Sequence, residues 1–445
     1  MFEKSKKVHT ITFGCQMSER DAETLTTIST KLGYQKTDIP EDADLIIVNT
    51  CCVRESAENK IIGKIGQLKK LKQNKPGLII AVTGCMIQQP GMVEKLKKKA
   101  SHVDIWTGTF DYDKFEELLS VSEKGEKVSL VSEDFKDSKE VAPLAEKGKL
   151  KASVNIMYGC DNYCSYCIVP YVRGRERSRP IEEIIDEVQA LAQSGCKEVT
   201  LLGQNVNSYG KKDGFGYDFA DLLKEIDKID GIERIRFTTS HPKDITDKLI
   251  KTVADSKHIC EHFHFPFQAG SNKILKAMNR KYTREYYLER VEQIFKIIPE
   301  ARLTTDIIVG FPGETEEDFE QTLDLVRKVP FSQAFTFMFS KRSGTVAANL
   351  PDQVPLEVKK YRLQRLMELQ NSRSLEWRRK MINKEYEVLV EGPSKTNAEL
   401  LSGRTRGNEL VVFDGDPELI GKLIMVKIKD ANSWTLFGSP VKILK

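Results

Sequence analysis

Short apolar runs alternate with helical segments six times in the middle of the chain, and this alternation limits the possible folds more than any other feature. The runs end near six residues: Tyr158, Leu202, Thr239, Phe267, Val309 and Phe339. Segments with helical periodicity separate them, including 181–193, 219–229 and 284–298. Alternating strands and helices favour a parallel sheet. Because a closed barrel of this kind needs eight units, six units predict a partial, open (β/α)6 barrel.

The residues before this region predict a second parallel α/β unit. Three short apolar runs, 8–13, 45–49 and 78–83, have the composition of buried parallel strands. Amphipathic helical stretches at 21–31 and 56–71 separate these runs. The chain therefore begins with an N-terminal parallel α/β domain.

The residues after the barrel region predict a small antiparallel β-barrel, because strand-like runs alternate there with Gly, Pro, Asp and Asn turns. These runs are 386–390, 409–412, 423–428 and 435–436. We therefore predict an α/β chain with three domains, which are 1–148, 149–381 and 382–445. The first of them ends in a charged connection at 120–148, which has room for one or two short strands at most.

The composition predicts a cytoplasmic protein with reduced thiols. Hydrophobic residues make up 40% and charged residues 30% of the 445 residues, an ordinary balance for a globular protein. The first residues are charged, and no apolar run approaches the ~18 residues of a membrane-spanning helix. Because the cytosol keeps thiols reduced, we expect the nine cysteines to be metal ligands, catalytic groups or core residues.

Cys160, Cys164 and Cys167 form a C-x3-C-x2-C motif directly after the first strand of the predicted barrel. Three thiolates on a tight loop can ligate three irons of a [4Fe–4S] cluster, whereas ferredoxin spacings normally supply a fourth cysteine. The fourth iron would then be open to a substrate or cofactor. The alternative is a zinc site that a distant ligand completes.

Cys15, Cys51 and Cys85 each follow one of the three predicted N-terminal strands. Because α/β domains place their ligands at the carboxyl ends of parallel strands, these cysteines can converge on a second metal site. Glycines before two of them would let the backbone approach a bulky cluster. The alternative is that cysteine is a good small core residue. We expect that core or surface role for three others, which are Cys52, Cys196 and Cys260.

The segment 158–167 resembles the cluster loop of the radical S-adenosylmethionine (radical SAM) superfamily. In that family the open iron binds the amino and carboxylate groups of S-adenosylmethionine, and an electron cleaves it to methionine and a 5′-deoxyadenosyl radical. The segment 203–205 stands where the family meets the methionine amine, and 306–314 stands where its backbone contacts the adenine. The resemblance implies eight cofactor-binding residues: Tyr166, Gly203, Gln204, Asn205, Gln268, Asp306, Ile308 and Gly310.

Nearly the whole chain resembles the methylthiotransferase family, which joins a three-cysteine N-terminal domain, a radical SAM core and a TRAM-type barrel. The segments around Cys15 and Cys51, with 169–176 and 201–207, are similar to members that act on N6-isopentenyladenosine in tRNA. Ser18 stands where these members typically have Asn, and Cys52 where many have Ser. Neither residue is one of the implied ligands.

The resemblance implies two [4Fe–4S] clusters, on Cys15/Cys51/Cys85 and on Cys160/Cys164/Cys167, and two uses of S-adenosylmethionine. One molecule methylates a sulfur on the first cluster, and a second gives the radical that takes hydrogen from adenine C2. The implied partners are the tRNA anticodon loop and an electron donor such as flavodoxin or ferredoxin, with no membrane and a monomeric chain. Alternatives are the same chemistry on threonylcarbamoyl-adenosine tRNA or a ribosomal-protein aspartate, or a non-catalytic iron–sulfur or zinc RNA-binding protein.

Three basic segments are candidates for phosphate contact. The first is a predicted helix at 356–380, with a net charge of +5 against +4 for the whole chain; its apolar side would carry Leu356, Leu363, Leu366, Leu369 and Leu375. The second is a lysine cluster: Lys60, Lys64, Lys69, Lys70, Lys72 and Lys75. The third is 403–407, which resembles the RNA-binding face of TRAM modules. An ordinary solvated face is the alternative for the first two. Four further candidates for lining the site are Arg173, Arg175, Gln268 and Arg342.

Overall fold

The N-terminal region folds as a parallel sheet between two helical layers in the computed structural model, which describes residues 5–52, 55–133, 142–143 and 145–445. The strands are β1 Lys7–Thr12, β2 Gln35–Lys36, β3 Leu45–Thr50, β4 Ile79–Gly84, β5 Ile105–Thr107 and β6 Val128–Leu130, in the order β2-β1-β3-β4-β5-β6. The helices are α1 Gln16–Lys31, α2 Glu55–Asn74, α3 Met92–Lys97 and α4 Phe115–Glu123. The three predicted strands are confirmed as β1, β3 and β4, while β2 and β5 were not predicted.

The two layers follow from the alternation of side chains along the strands. Ile46, Val48, Ile80 and Val82 form a core on the side of α2 and α3, and Leu45, Ile47, Ile79 and Ala81 form a core on the side of α1 and α4. The predicted connection at 120–148 contains the end of α4 and the short β6, and its residues 134–141 and 144 lie outside the described part.

The middle region contains six consecutive parallel strands with helices between them. The strands are β7 Lys151–Asn155, β10 Glu198–Leu202, β11 Arg234–Phe237, β12 His262–His264, β13 Arg302–Val309 and β14 Phe331–Met338, and the short β8 Met157–Tyr158 pairs with β9 Arg177–Ser178. The helices are α5 Val169–Arg173, α6 Ile181–Gln193, α7 Phe219–Ile226, α8 Asp247–Asp255, α9 Asn272–Ala277, α10 Arg284–Ile297, α11 Glu316–Lys328 and α12 Leu356–Arg379. A parallel bridge between Ile235 and Ile259 joins the sheet β7-β10-β11 to the sheet β12-β13-β14. This is the predicted partial (β/α)6 arrangement.

The C-terminal region is a closed five-stranded barrel. Its strands are β15 Glu385–Pro393, β16 Leu401–Thr405, β17 Leu410–Phe413, β18 Leu423–Ala431 and β19 Thr435–Ile443, in the order β15-β16-β17-β19-β18. Four pairs are antiparallel as predicted, but β17 and β19 pair in parallel. β16 was not predicted, because Leu401 is the one large apolar side chain in its sequence Leu-Ser-Gly-Arg-Thr. A single apolar side chain gives no alternating pattern.

The long helix α12 buries a different face from the predicted leucine stripe. Its buried residues are Arg362, Leu366, Gln370, Ser374 and Arg378, whereas Leu356 is 56% exposed. These five buried residues recur every four positions, as expected for the face of a helix that packs against its neighbours. Four of the five are polar. The predicted apolar side is therefore not the buried face: of its five leucines only Leu366 is buried, because polar side chains with internal partners take that face.

Contacts between residues group the chain into two units. One contains 1–145, 158–161 and 167–177, and the other contains 146–157, 162–166 and 178–445. The core strands and the C-terminal barrel belong to the second unit. In the described part of the chain, no helix is both long and apolar enough to cross a membrane.

Candidate metal centres and cofactor site

The three N-terminal cysteines lie along one edge of the N-terminal sheet. Cys51 and Cys85 directly follow β3 and β4, and Cys15 begins α1 three residues after β1. Since β1, β3 and β4 are neighbours in a parallel sheet, their carboxyl ends place the three cysteines side by side. A Cβ at Gly14, whose φ is +131°, would lie 2.7 Å from Cys51 Cβ, so this close approach requires glycine. The predicted alignment is confirmed, while metal ligation stays a prediction.

Two groups stabilise the thiolate form of Cys85. Cys52 is buried and hydrogen-bonds to Cys85, and Arg173 donates from Nε to Cys85 Sγ over 3.1 Å. The hydrogen bond from Cys52 and the charge of Arg173 lower the pKa of Cys85 to about 7, although burial acts to raise it. The thiolate is the form that ligates metals. Sequence analysis assigned Cys52 a core or surface role and missed this contact.

A buried carboxylate neutralises Arg173 and fixes its orientation. Arg173 donates to Asp21 through both terminal nitrogens, at 3.2 and 2.5 Å, and the hydroxyl of Tyr112 donates to Asp21 over 3.4 Å. Bidentate pairs of this kind are among the strongest charge-assisted hydrogen bonds. The Arg173 guanidinium is thus held against the sulfur of Cys85 with its charge compensated.

The loop with Cys160, Cys164 and Cys167 follows β8 and precedes α5. Its first turn requires glycine, because Gly159 has φ +69° and a Cβ there would lie 2.1 Å from the carbonyl oxygen of Arg175. The amide of Cys160 donates to the carbonyl of Gly174 over 3.2 Å, and Arg175 pairs with Asp161 at 2.8 Å.

Arg280 donates a hydrogen bond to the sulfur of Cys164. The distance from Nη1 to Sγ is 3.3 Å, and the other two guanidinium nitrogens donate to the carbonyl of Pro266 at 3.1 Å and the hydroxyl of Tyr282 at 3.2 Å. Arg280 is buried. Within the described ranges no carboxylate pairs with it, so its positive charge faces Cys164 without the counter-charge that Arg173 has in Asp21.

The predicted cofactor-binding residues lie in the core region, most of them at the carboxyl ends of its strands. Gly203, Gln204 and Asn205 follow β10, Gln268 follows β12, Asp306 and Ile308 lie in β13, Gly310 follows β13, and Tyr166 packs against the cluster of Ala269 and Phe311. Asn205 donates to Asp244 over 2.7 Å and accepts from the amide of His241 over 3.1 Å. Its side chain therefore links the ends of β10 and β11. Arg342 lies in the loop after β14, where its carbonyl accepts from Thr345.

A buried ion pair holds the turn after β13. Glu314 accepts from the amide of Gly310 over 2.6 Å and from Arg362 of α12 over 2.8 Å. Burial raises the pKa of Glu314 to about 7, against the opposing effects of the Gly310 amide and of Arg362. Because Gly310 has φ +71°, the turn takes a shape that favours glycine.

Several buried polar atoms at this edge of the core lack a hydrogen-bond partner within the described residues. They are the Gln268 Oε1, the His241 Nε2, the Ser240 Oγ and both side-chain polar atoms of Asn207. Burial, and then the charge of Arg280, lowers the pKa of His241 well below its ordinary range, so the ring is neutral and keeps one acceptor or donor nitrogen available. Buried polar groups are rarely left unpaired. These atoms therefore fit a polar ligand such as S-adenosylmethionine, and sequence analysis missed all of them except Gln268.

One sulfur of each cysteine trio lies beside a buried arginine. Among the described residues, no group of three His, Cys, Asp or Glu side chains is placed so that it could hold a metal ion. Each cysteine trio supplies three sulfurs, and one sulfur of each accepts from a buried arginine. Hydrogen bonds to sulfur are a general feature of protein iron–sulfur sites. The remaining cysteines Cys196 and Cys260 are buried, as expected for core thiols.

Two of the predicted phosphate-binding segments are paired inside the protein. In α12, Arg362 and Arg365 pair with Glu314, Glu316 and Glu320, and Arg378 donates to the carbonyl of Ser433. In the segment 403–407, Arg406 pairs with Glu261 at 2.6 Å and donates to two backbone carbonyls. Charge counts in the sequence could not show these partners, which come from distant parts of the chain. The structure favours structural roles for these arginines.

Parts of the chain match three family models. Residues 7–108 match the uncharacterized protein family UPF0004, 154–326 match the Radical SAM superfamily, and 379–441 match the TRAM domain.

Two relatives that match nearly the whole chain have the same name. A protein of Desulfitobacterium hafniense (strain Y51), named tRNA-2-methylthio-N(6)-dimethylallyladenosine synthase, is 65% identical over 97% of this chain and 97% of its own. A protein of the same name from Acetivibrio thermocellus is 55% identical over 98% of this chain and 92% of its own. Among solved structures, the radical S-adenosylmethionine methyltransferase TsrM from Kitasatospora setae, with cobalamin and a [4Fe–4S] cluster bound, matches with a TM-score of 0.56. That match has 14% identity, covers 78% of this chain and 77% of the other, and concerns the fold alone.

Proposed function

The chain belongs to the family of tRNA-2-methylthio-N(6)-dimethylallyladenosine synthases, and from this premise we propose how its own residues carry out that reaction. It is a radical SAM tRNA methylthiotransferase, which uses S-adenosylmethionine and [4Fe–4S] clusters to add a methylthio group at C2 of N6-isopentenyladenosine (the dimethylallyladenosine of the family name) in tRNA. Relatives with 53–65% identity over nearly the full length carry this name. The same chemistry on another substrate is therefore not favoured.

We assign one cluster to each cysteine trio. Cys160, Cys164 and Cys167 would hold the cluster that binds S-adenosylmethionine, and Cys15, Cys51 and Cys85 would hold the auxiliary cluster. The observation that carries this assignment is the alignment of the second trio at the ends of three neighbouring strands, with Arg173 donating to Cys85. When bound, the first cluster supplies the electron that cleaves S-adenosylmethionine, and the second supplies the sulfur.

The protein's own part is to bind, orient and exclude water around these groups. Gln268, His241 and Asn207 present buried polar atoms that a polar ligand would satisfy. The turn at Gly310, fixed by Glu314 and Arg362, would take the adenine by its backbone. The neutral ring of His241 can hydrogen-bond without adding a second positive charge beside Arg280.

The partners and the domain limits belong to the same proposal. We propose that the substrate is the anticodon loop of tRNA, where the target base is unstacked at low cost. An acidic redox protein such as flavodoxin or ferredoxin would supply electrons to a monomeric enzyme in the cytoplasm, where tRNA is found. The three family models lie close to the proposed domains 1–148, 149–381 and 382–445.

The decisive test is product analysis with reconstituted protein. Anaerobic protein, loaded with iron and sulfide, is incubated with S-adenosylmethionine, dithionite and tRNA that carries N6-isopentenyladenosine, and the digested tRNA is examined by mass spectrometry. We expect the 2-methylthio nucleoside from the wild type and none from either triple variant, Cys160/Cys164/Cys167→Ala or Cys15/Cys51/Cys85→Ala.

The two variants separate the roles of the clusters. The Cys15/Cys51/Cys85→Ala variant should still cleave S-adenosylmethionine to 5′-deoxyadenosine, whereas the Cys160/Cys164/Cys167→Ala variant should not. Wild-type protein that makes 5′-deoxyadenosine but leaves this tRNA unmodified would contradict the substrate. No cleavage by protein with verified clusters would contradict the radical reaction itself.

A further inference from the structure

The strongest positive charge of the chain lies on one helical layer of the N-terminal region. Between Glu58 and Lys99 the sequence has ten lysines, two glutamates and no other charged residue, a net charge of +8 against +4 for the whole chain. Two of these lysines are paired, Lys72 with Asp104 and Lys75 with Asp44. The other eight form no ion pair within the described ranges: Lys60, Lys64, Lys69, Lys70, Lys95, Lys97, Lys98 and Lys99. We call these eight residues the lysine face.

The lysine face is continuous across two helices. Ile61, Ile65 and Leu68 of α2 and Val93 and Leu96 of α3 pack into the same core on one side of the sheet. The ring of His102, just after α3, hydrogen-bonds to the carbonyl of Ile65 over 2.8 Å, which places the end of α3 beside the middle of α2. Because the apolar residues of both helices point to this core, their lysines share the outer surface, and all but Lys64 are exposed.

The opposite helical layer has the opposite charge. Helices α1 and α4 together contain six acidic residues and two basic ones. Solubility does not require positive and negative residues to lie on opposite sides, because a surface on which both signs are interspersed is also soluble. The charge is therefore concentrated on one side of the sheet, which is the pattern of an electrostatic binding surface.

The chemistry of the lysine face matches a phosphate backbone better than a protein partner. Protein interfaces rely on aromatic or aliphatic anchors and are depleted in lysine. No large exposed hydrophobic side chain belongs to α2 or α3 among the residues whose exposure is described. Helix α2 alone has 20 residues, a length of about 30 Å, along which lysines can meet a row of phosphates without reading bases.

The position of the lysine face relates it to the proposed auxiliary cluster. Helix α2 begins four residues after Cys51, and α3 begins seven residues after Cys85. Both helices therefore start near the edge of the sheet that carries the cysteine trio and run away from it along the sheet. An RNA with its target base at that edge would have flanking phosphates within reach of these lysines.

We infer that the lysine face binds the phosphate backbone of the tRNA substrate without sequence preference. This inference rests on the proposed function for the identity of the RNA. It also places phosphate contact on a surface whose lysines form no ion pair in the described part of the chain, whereas Arg362 and Arg365 of α12 and Arg406 of the segment 403–407 are paired inside the protein.

The test compares two fourfold variants of the full-length, cluster-loaded enzyme. One is Lys69/Lys70/Lys98/Lys99→Gln on the lysine face, and the control, with the same change in net charge, is Lys31/Lys224/Lys251/Lys296→Gln, also at exposed positions. Binding of tRNA is measured by fluorescence anisotropy over a range of salt concentrations. We expect the first variant to bind about tenfold more weakly, and its slope of log Kd against log salt to be shallower by about 3, at roughly 0.7–0.9 per lost phosphate contact.

Further readouts make each outcome decisive. The first variant should cleave S-adenosylmethionine without tRNA at the wild-type rate, and should methylthiolate at the wild-type kcat when tRNA is saturating. Equal Kd and equal salt slope in the two variants would overturn the inference. Normal tRNA binding with slower reduction by flavodoxin would also overturn it and assign the surface to an acidic redox protein. Wild-type protein that binds tRNA but forms no product would contradict the proposed function, whereas the inference that the lysine face binds tRNA would still hold.

Discussion

A buried arginine donates to one sulfur of each proposed cluster, but the two arginines differ in charge balance. Arg173 forms a bidentate pair with Asp21, so it adds a hydrogen bond to Cys85 and little net charge. Apart from Cys164 itself, Arg280 has only neutral partners within the described ranges, so it adds both a hydrogen bond and a positive charge to Cys164. Positive charge and hydrogen bonds to sulfur favour the reduced cluster. If each trio holds a cluster, this geometry would make the Cys160/Cys164/Cys167 cluster the easier of the two to reduce.

We predict that Arg280→Met lowers the reduction potential of that cluster. A hydrogen bond to a charged group contributes about 1.5–3 kcal/mol, which corresponds to about 60–130 mV for one electron. The measurement is a redox titration followed by electron paramagnetic resonance, in protein whose auxiliary cysteines are replaced by alanine. Arg280→Lys keeps the positive charge, so its reduction potential should fall by no more than half of the decrease that Arg280→Met causes. An unchanged potential in Arg280→Met would show that the contact only supports the loop.

We predict that Cys52→Ser keeps both clusters, because Cys52 acts on Cys85 as a hydrogen-bond partner and serine preserves that bond. Iron and sulfide content should equal that of the wild type, and methylthiolation should fall by no more than about threefold. Cys85→Ser is the matched variant and should lose one cluster. Loss of iron from the Cys52 variant would make this residue a ligand.

At the scale of elements, α12 supports the cofactor site. Its Arg362 reaches the carboxyl group of Glu314, which in turn holds the amide of Gly310. Its Lys359 donates to the carbonyl of Phe339, which follows β14, over 3.1 Å. The positive charge of this helix thus fixes the turn and strand ends beneath the proposed adenine site.

We predict that Arg362→Met weakens S-adenosylmethionine binding and destabilises the protein by about 3–5 kcal/mol, since it leaves a buried carboxyl group without its partner. The double variant Arg362→Met/Glu314→Gln should recover most of that stability, because no buried charge is left. The more exposed Arg365→Met is the control and should cost at most about 1 kcal/mol. Thermal unfolding and equilibrium dialysis of S-adenosylmethionine give the two readouts. Additive losses in the double variant would contradict the coupling.

The strands and helices were easier to predict from the sequence than the side-chain pairs that join them. Apolar runs such as 45–49 and 78–83 predicted strands because buried parallel strands need continuous hydrophobic side chains, and so the cysteines at their ends could be aligned in advance. The pair of Arg362 with Glu314 joins residues 48 positions apart, and no periodicity in the sequence encodes it. The strand β16 escaped prediction because its arginine and threonine side chains, which bond to other barrel residues, break the apolar alternation of a strand. Charge counts predicted an RNA-binding role for side chains whose partners only the fold reveals.

At the scale of the whole molecule, the C-terminal barrel is joined to the core by buried ion pairs. Arg302 of the core pairs with Glu409 at 2.9 Å, and Arg234, which is fully buried, pairs with Glu387 at 2.9 Å and donates to the carbonyl of Arg404. Arg236 donates to the carbonyls of Thr405 and Arg406. The barrel therefore supplies hydrogen-bond partners for three core arginines, although Arg236 also pairs with Glu198 of the core at 2.9 Å. A separable RNA-binding module would not do this.

We predict that a chain ending at Asn383 loses more than RNA affinity, because buried charges without partners are costly. Arg302 would lose Glu409 and Arg234 would lose Glu387. Arg236 would keep its pair with Glu198 of the core but lose two carbonyl acceptors. Thermal unfolding should shift to lower temperature, and S-adenosylmethionine cleavage without tRNA should fall several-fold, although no barrel residue is among the proposed cofactor contacts. Glu409→Gln in the full chain should reproduce part of the shift, since the buried Arg302 loses its counter-charge. Trp434→Ala, at an exposed position of the barrel, should leave both readouts unchanged. A truncated chain with wild-type stability and wild-type cleavage would mean that water can replace these partners and that the barrel is a detachable module after all.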